Sequence, residues 1–138
     1  MKRIAIMSLI TVLMLSNPVE ADSADNLYIL SHIISAEGGN CGYWMMVSIG
    51  SVVLNRVKSP LFPNTIEEVV FQEGQYAPTW DGSYWNEPTP EAVEVAKELL
   101  EEGSKLDESV IWQAEFPQGN GIYDTIESPW GTTMYFCY

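Results

Sequence analysis

Leu27-Tyr28-Ile29-Leu30-Ser31-His32-Ile33-Ile34-Ser35-Ala36-Glu37-Gly38-Gly39 is the stretch on which the reading of this chain turns. Leu27, Leu30, Ile34 and Glu37 recur at i, i+3, i+7 and i+10, one face of an α-helix, and Ile33 widens the stripe. Ser23 or Asp25 can cap the start, and Gly38-Gly39 stops the pattern, so a helix is predicted over residues 25–37. Asn17-Pro18 reads as a helix break ahead of it. Glu37 continues the apolar stripe instead of the polar side. A carboxyl there loses hydration, and the negative end of the helix dipole opposes its charge. Both effects favour the protonated form. A carboxylic acid that keeps its proton near neutral pH is what glycoside cleavage requires of a general acid. The plainer alternative is a helix-end glutamate turned into water. His32, the lone histidine, reads as a helix-face residue and not as a base.

Outward from this helix, residues 43–57 form a second helix that is apolar on most of its circumference and therefore central. Gly50 within it suits a close helix crossing. Pro60 and Pro63 mark a turn, and Thr65-Ile66-Glu67-Glu68 is a capping box for a short third helix ending near Phe71. Residues 72–88, with Gly74, Pro78, Gly82 and Pro88, read as loop with a small sheet. Thr89-Pro90 opens a fourth helix that stops at Gly103, with Val93, Ala96, Leu99 and Leu100 as its buried stripe. Residues 109–114 and 132–138 read as strands joined by a Gly/Pro-rich loop. The fold class is α+β, mainly helical with a small antiparallel sheet.

Composition narrows the function. The 138 residues are 46% apolar and 18% charged, a globular balance, and the formal charge is −13. So acidic a chain is a poor grip for nucleic acid or for anionic membrane surfaces. Residues 1–21 have the basic start, short apolar run and small residues before Ala21 of a signal peptide, which leaves one domain over residues 22–138 of a secreted protein. The apolar run is too short for a membrane span. In an oxidising compartment Cys41 and Cys137 are expected to pair as a disulfide, two free thiols being the alternative. Two cysteines and one histidine are too few for a structural zinc site, and no calcium-loop motif is present. No metal, no cofactor and a monomer are expected.

Tyr76, Trp80, Tyr84, Trp85, Trp112 and Trp130 lie in segments read as loop or strand, interleaved with Gln72, Gln75, Asp81, Asn86 and Gln113. Sugar rings stack on aromatics and hydrogen-bond to amides and carboxylates. About half of these rings are expected to be core instead, given the area an aromatic buries. Four blocks then resemble a family: Ser35-Ala36-Glu37-Gly38-Gly39, Val52-Val53-Leu54-Asn55-Arg56-Val57-Lys58-Ser59-Pro60, Phe62-Pro63-Asn64-Thr65, and Gln72-Glu73-Gly74-Gln75-Tyr76-Ala77-Pro78. In combination they look like the cell wall hydrolases of the spore-cortex-lytic type. The resemblance implies a lysozyme-like fold and a lytic transglycosylase. Such an enzyme cleaves peptidoglycan glycan strands between N-acetylmuramic acid and N-acetylglucosamine. It places the catalytic acid at Glu37 and cleft-lining residues at Gln75, Tyr76 and Gln113; Trp80 is added as a stacking platform. The block after Glu37 departs from the family, with Gly38-Gly39-Asn40 where many relatives have Ala-Arg-Gly-Glu. An ordinary muramidase would need a second carboxylate, for which Asp81, Glu73 and Asp124 are candidates by type. A non-catalytic glycan-binding module, or a factor acting through a protein partner, stands as the other class.

Overall fold

In the computed structural model, residues 18–138 are described; the expected signal peptide lies outside them except for its last four residues. Helix α1 spans Pro18–Gly38, α2 Tyr43–Lys58, α3 Ile66–Val70, α4 Pro78–Asp81 and α5 Pro90–Glu102, with a 3₁₀ turn at Ser83–Trp85. Strands β1 (Trp112–Ala114), β2 (Ile122–Glu127) and β3 (Thr133–Cys137) form one antiparallel sheet in the order β1-β3-β2. Among the described residues no helix is long and apolar enough to cross a membrane.

Helix α1 begins at Pro18, seven residues ahead of expectation. Proline lacks only an N–H that a first helical turn leaves unpaired anyway, so Pro18 is compatible with the helical conformation described there. At the other end Gly38 lets α1 turn tightly onto α2. A Cβ there would lie 2.5 Å from Ile49 Cδ1. Gly50 does the same where α1, α2 and α5 cross: its missing side chain leaves room for Leu99 and for Ile34, whose Cδ1 would be 2.7 Å from a Cβ. Leu30, Ile33 and Ile34 of α1, Ile49, Val52 and Val53 of α2, and Leu99 of α5 are fully buried around that crossing.

Thr65 caps α3, its Oγ1 accepting from Glu68 N at 3.1 Å, and Thr89 caps α5 by accepting from Ala92 N at 3.2 Å. In α5 it is Val95, not Val93, that joins Ala92, Ala96 and Leu99 in the core. The sheet expected within residues 72–88 is absent; that segment is α4 and the 3₁₀ turn, started by Pro78 and separated by Gly82 at φ 93°. Conversely, β2 lies in what reads as a Gly/Pro-rich loop. Only Ile126 of its six residues is partly covered, and a bulge sits between Ile122 and Asp124, so no clean alternation marks it.

The expected disulfide is not formed. Cys41 and Cys137 are both free thiols. Cys41 is held in the α1–α2 turn, its N–H donating to Gly38 O at 3.0 Å, whereas Cys137 is buried at the end of β3 opposite Trp112 and Ile122. Each is anchored by the backbone of its own element, and a bridge would need the two brought into a narrow range of Cα separations. Burial pushes the Cys41 thiol up, which favours its protonated form.

Candidate active site

Glu37 occupies the last turn of α1 and is only partly exposed. Its stripe position carries it toward the sheet. There Gln113 of β1 donates from Nε2 to Glu37 Oε2 at 3.5 Å, the long limit of a hydrogen bond. Catalytic hydrogen bonds are commonly this loose before substrate tightens them. Burial raises the Glu37 carboxyl from 4.5 to about 7, and the nearby charge of Asp81 adds to the rise. Arg56 and the Gln113 amide pull in the other direction, and Glu115 adds a smaller upward push. Near neutrality, then, the acid form is substantially populated.

Of the residues expected to bind substrate, Gln113 is brought to Glu37. Gln75 is exposed in the turn before α4, its Oε1 accepting from Arg56 Nη1 at 3.3 Å. Trp80 presents its ring on α4, 61% exposed, one residue from Asp81. Tyr76 corrects the expectation of a cleft surface: it is 2% exposed, and its ring lies under the Arg56 guanidinium, 5.2 Å from the centroid. The ring is buried under Arg56 while its neighbours Gln75 and Ala77 stay exposed, so Tyr76 offers no open face for stacking on a sugar. Its Oη has no hydrogen-bond partner among the described residues, and burial pushes the phenol up to about 12. Tyr76→Phe is therefore expected to leave thermal stability unchanged or raised by up to about 1 kcal/mol, because it removes an unpaired buried hydroxyl. Melting curves of the two proteins check this, and a large loss of stability would mean that the hydroxyl has a partner in solution.

Tyr84 is buried too, stacked near His32, while Trp85 and Trp130 remain exposed. His32 packs its ring 3.9 Å from that of Tyr28, and its Nδ1 is 2.8 Å from Tyr28 O, which accounts for it structurally. Among the second-carboxylate candidates, Asp81 is the one whose charge acts on Glu37. Its own carboxyl is held below the usual range, Oδ1 accepting from Ser83 Oγ at 2.6 Å and Ser83 N at 2.8 Å. Neither Glu73 nor Asp124 figures among the charges that move Glu37. A separate groove of about 840 Å³ lies between the α1–α2 turn and α5, walled by Gly39, Tyr43, Glu94 and Glu98. Glu37 is not on it. The perturbed acid, not the volume, marks where proton transfer can occur. No cluster of three metal-ligating side chains exists among the described residues.

Arg56 is the site residue that the sequence reading passed over. It is 3% exposed, and its guanidinium sits against the faces of Phe62, Tyr76 and Trp112. The available signal was an arginine within a mostly apolar helix, beside Asn55 in the Asn55-Arg56-Val57 block.

A mostly helical α+β domain with one carboxylic acid kept part-protonated at the junction of helix and sheet has a group suited to proton transfer. The profile described as Cell Wall Hydrolase matches residues 42–118. The chain belongs to the cell wall hydrolase family. It is 29% identical over 118 residues to a spore cortex-lytic enzyme of Oceanobacillus iheyensis, covering 83% of this chain and 38% of that protein. It is 30% identical over 112 residues to the spore cortex-lytic enzyme of Bacillus subtilis, covering 78% of this chain and 33% of that one. The chain thus spans a third to two fifths of the length of the curated relatives it matches. Its fold is that of the catalytic domain of the germination-specific lytic transglycosylase SleB from Bacillus anthracis. The TM-score is 0.63 at 18% identity, over 81% of this chain and 93% of that one. The catalytic domain of Bacillus cereus SleB gives 0.62 at 20% identity, over 82% and 90%.

Proposed function

We propose that this protein cleaves peptidoglycan glycan strands between N-acetylmuramic acid and N-acetylglucosamine as a lytic transglycosylase, with Glu37 as both acid and base. The observation that carries the reading is the Glu37 carboxyl at about 7, raised chiefly by burial and placed against the Gln113 amide. Family membership and the similarity to spore cortex-lytic enzymes and SleB supply the substrate class.

In the proposed step, protonated Glu37 gives its proton to the glycosidic oxygen as the C1–O bond breaks and positive charge builds on the ring. The resulting carboxylate takes a proton from the C6 hydroxyl of the muramic residue. That oxygen closes on C1, and the products are a free sugar hydroxyl and a 1,6-anhydromuramic end. The carboxyl is protonated again, so one residue completes the cycle. Trp80 offers a stacking face at the rim, and Gln75 and Gln113 offer amides to the sugar substituents. Residues 1–21 act as an export signal in this reading, and the domain works outside the cell at the wall as a monomer.

A second reading has a specific observation behind it. Asp81 is held ionised by Ser83 and senses Glu37, so it is the carboxylate to expect if water, not the C6 hydroxyl, completes the reaction. Mass spectrometry of digested peptidoglycan distinguishes the two. Anhydro ends are expected; ends carrying added water would move the assignment to hydrolysis, and intact strands would leave only a binding module. The pH dependence has a definite sign. The free enzyme must hold a proton on Glu37 to begin, so kcat/KM is expected to fall as pH rises through about 7. A rate that kept rising well above that pH would exclude Glu37 as the acid.

A further inference from the structure

The ion pairs among the described residues do not include Arg56, although it is almost fully buried on α2. A buried guanidinium without a carboxylate partner is costly unless other groups take its donors and replace its hydration. Here Nε donates to Ile111 O at 2.7 Å and Nη1 to Gln75 Oε1 at 3.3 Å. The rings of Phe62, Tyr76 and Trp112 surround it with centroids 4.7, 5.2 and 5.7 Å from Cζ, which favours the cation. These groups come from three separate segments: the connection after α2, the turn before α4, and the start of β1. Gln113, whose amide meets Glu37, follows Trp112 directly.

We propose that Arg56 is a positioning residue of the Glu37 site: it ties the Gln75 turn to β1, which sets where Gln113 meets Glu37, and it maintains a permanent positive charge that favours the ionised carboxylate. The proposal rests on Glu37 acting as acid and then base. The other charges acting on Glu37 are Asp81, at the end of α4, and Glu115, just after β1, and both oppose its ionisation. Without Arg56 they act unopposed. The carboxyl then holds its proton further into the alkaline range and becomes a weaker acid for the first half of the reaction.

Titration of the Glu37 carboxyl by carbon-13 NMR, assigned with Glu37→Gln, tests this in wild type, Arg56→Lys and Arg56→Met, beside pH–rate profiles on peptidoglycan. Arg56→Met keeps most of the aliphatic stem and removes the charge. Its Glu37 midpoint and the basic limb of its activity are expected to move up by about half to one pH unit. Its kcat should fall while KM stays within about twofold. Arg56→Lys should bring the midpoint back toward wild type without restoring the rate, because lysine lacks the planar fork that reaches both acceptors. An unmoved midpoint in folded Arg56→Met, or equal shifts in the Lys and Met variants, overturns the proposal. Arg56→Gln replaces Arg56→Met if the latter does not fold. If no neutral variant folds while Arg56→Lys matches wild type in midpoint and rate, the role is structural and the proposal fails. The NMR midpoint does not depend on turnover. A moved midpoint in a protein that never cuts peptidoglycan would reject the functional reading and keep the coupling of Arg56 to Glu37.

Discussion

Glu37→Gln should lower peptidoglycan-lytic activity by roughly 10²–10⁴-fold, the usual worth of a positioned acid–base group, while the fold remains intact. The amide has nearly the shape of the acid and can still pair with Gln113, but it has no proton to give and none to take back. The same substitution should make the protein more stable in alkaline solution. The carboxyl titrates near 7 in the folded protein against an ordinary 4.5. Between those two values the folded state binds a proton that the unfolded chain has released. Stability therefore falls as pH rises through that window and stays lower above it. The loss is on the order of 3 kcal/mol. Glutamine does not ionise, so the variant escapes it. Thermal melts at pH 4 and pH 8 are expected to agree for the two proteins in acid and to favour Glu37→Gln in alkali. Equal melts at both pH values would mean that the carboxyl is solvated, and undiminished lysis by the folded variant would remove Glu37 from the chemistry.

Asn55→Ala is expected to be the most damaging small substitution outside the apolar core, costing about 2–4 kcal/mol. Asn55 is 2% exposed on α2, and its Nδ2 donates to Asp107 O at 2.8 Å and Val110 O at 2.9 Å. Alanine would leave both carbonyls without that donor and a gap beside them. The segment so fastened leads into β1 and hence to Gln113, so the loss should reach the site as well. Circular dichroism melts give the stability change, and NMR of the Glu37 carboxyl shows whether its neighbour has shifted. A melting temperature within a degree or two of wild type would mean that water replaces Asn55 at little cost.

These two residues differ in how far they were legible. Glu37 stood out because a helix repeats every 3.6 residues, and a carboxylate in step with Leu27, Leu30 and Ile34 must share their environment. Asn55 and Arg56 have no such signature. A polar residue in an apolar helix is equally compatible with a solvent-facing position, and their partners lie about 20 to 55 positions along the chain. Tyr76 shows the converse. Its neighbours Gln75 and Ala77 are exposed, and nothing local distinguishes a tyrosine that lines a cleft from one folded under an arginine. The strand β2 was hidden because it is open to solvent on most positions and because its pairing with β3 contains a bulge.

Local chemistry determined helices α1, α2, α3 and α5, the threonine caps, the glycine-permitted crossing and the acid at the end of α1, because backbone periodicity and side-chain capping act over a few residues. Tertiary structure alone decided that the cysteines remain apart, that Tyr76 faces inward, and that Arg56 joins the walls around Glu37. Each of those depends on which distant segments meet, and an ionisable group takes its proton affinity from everything packed around it.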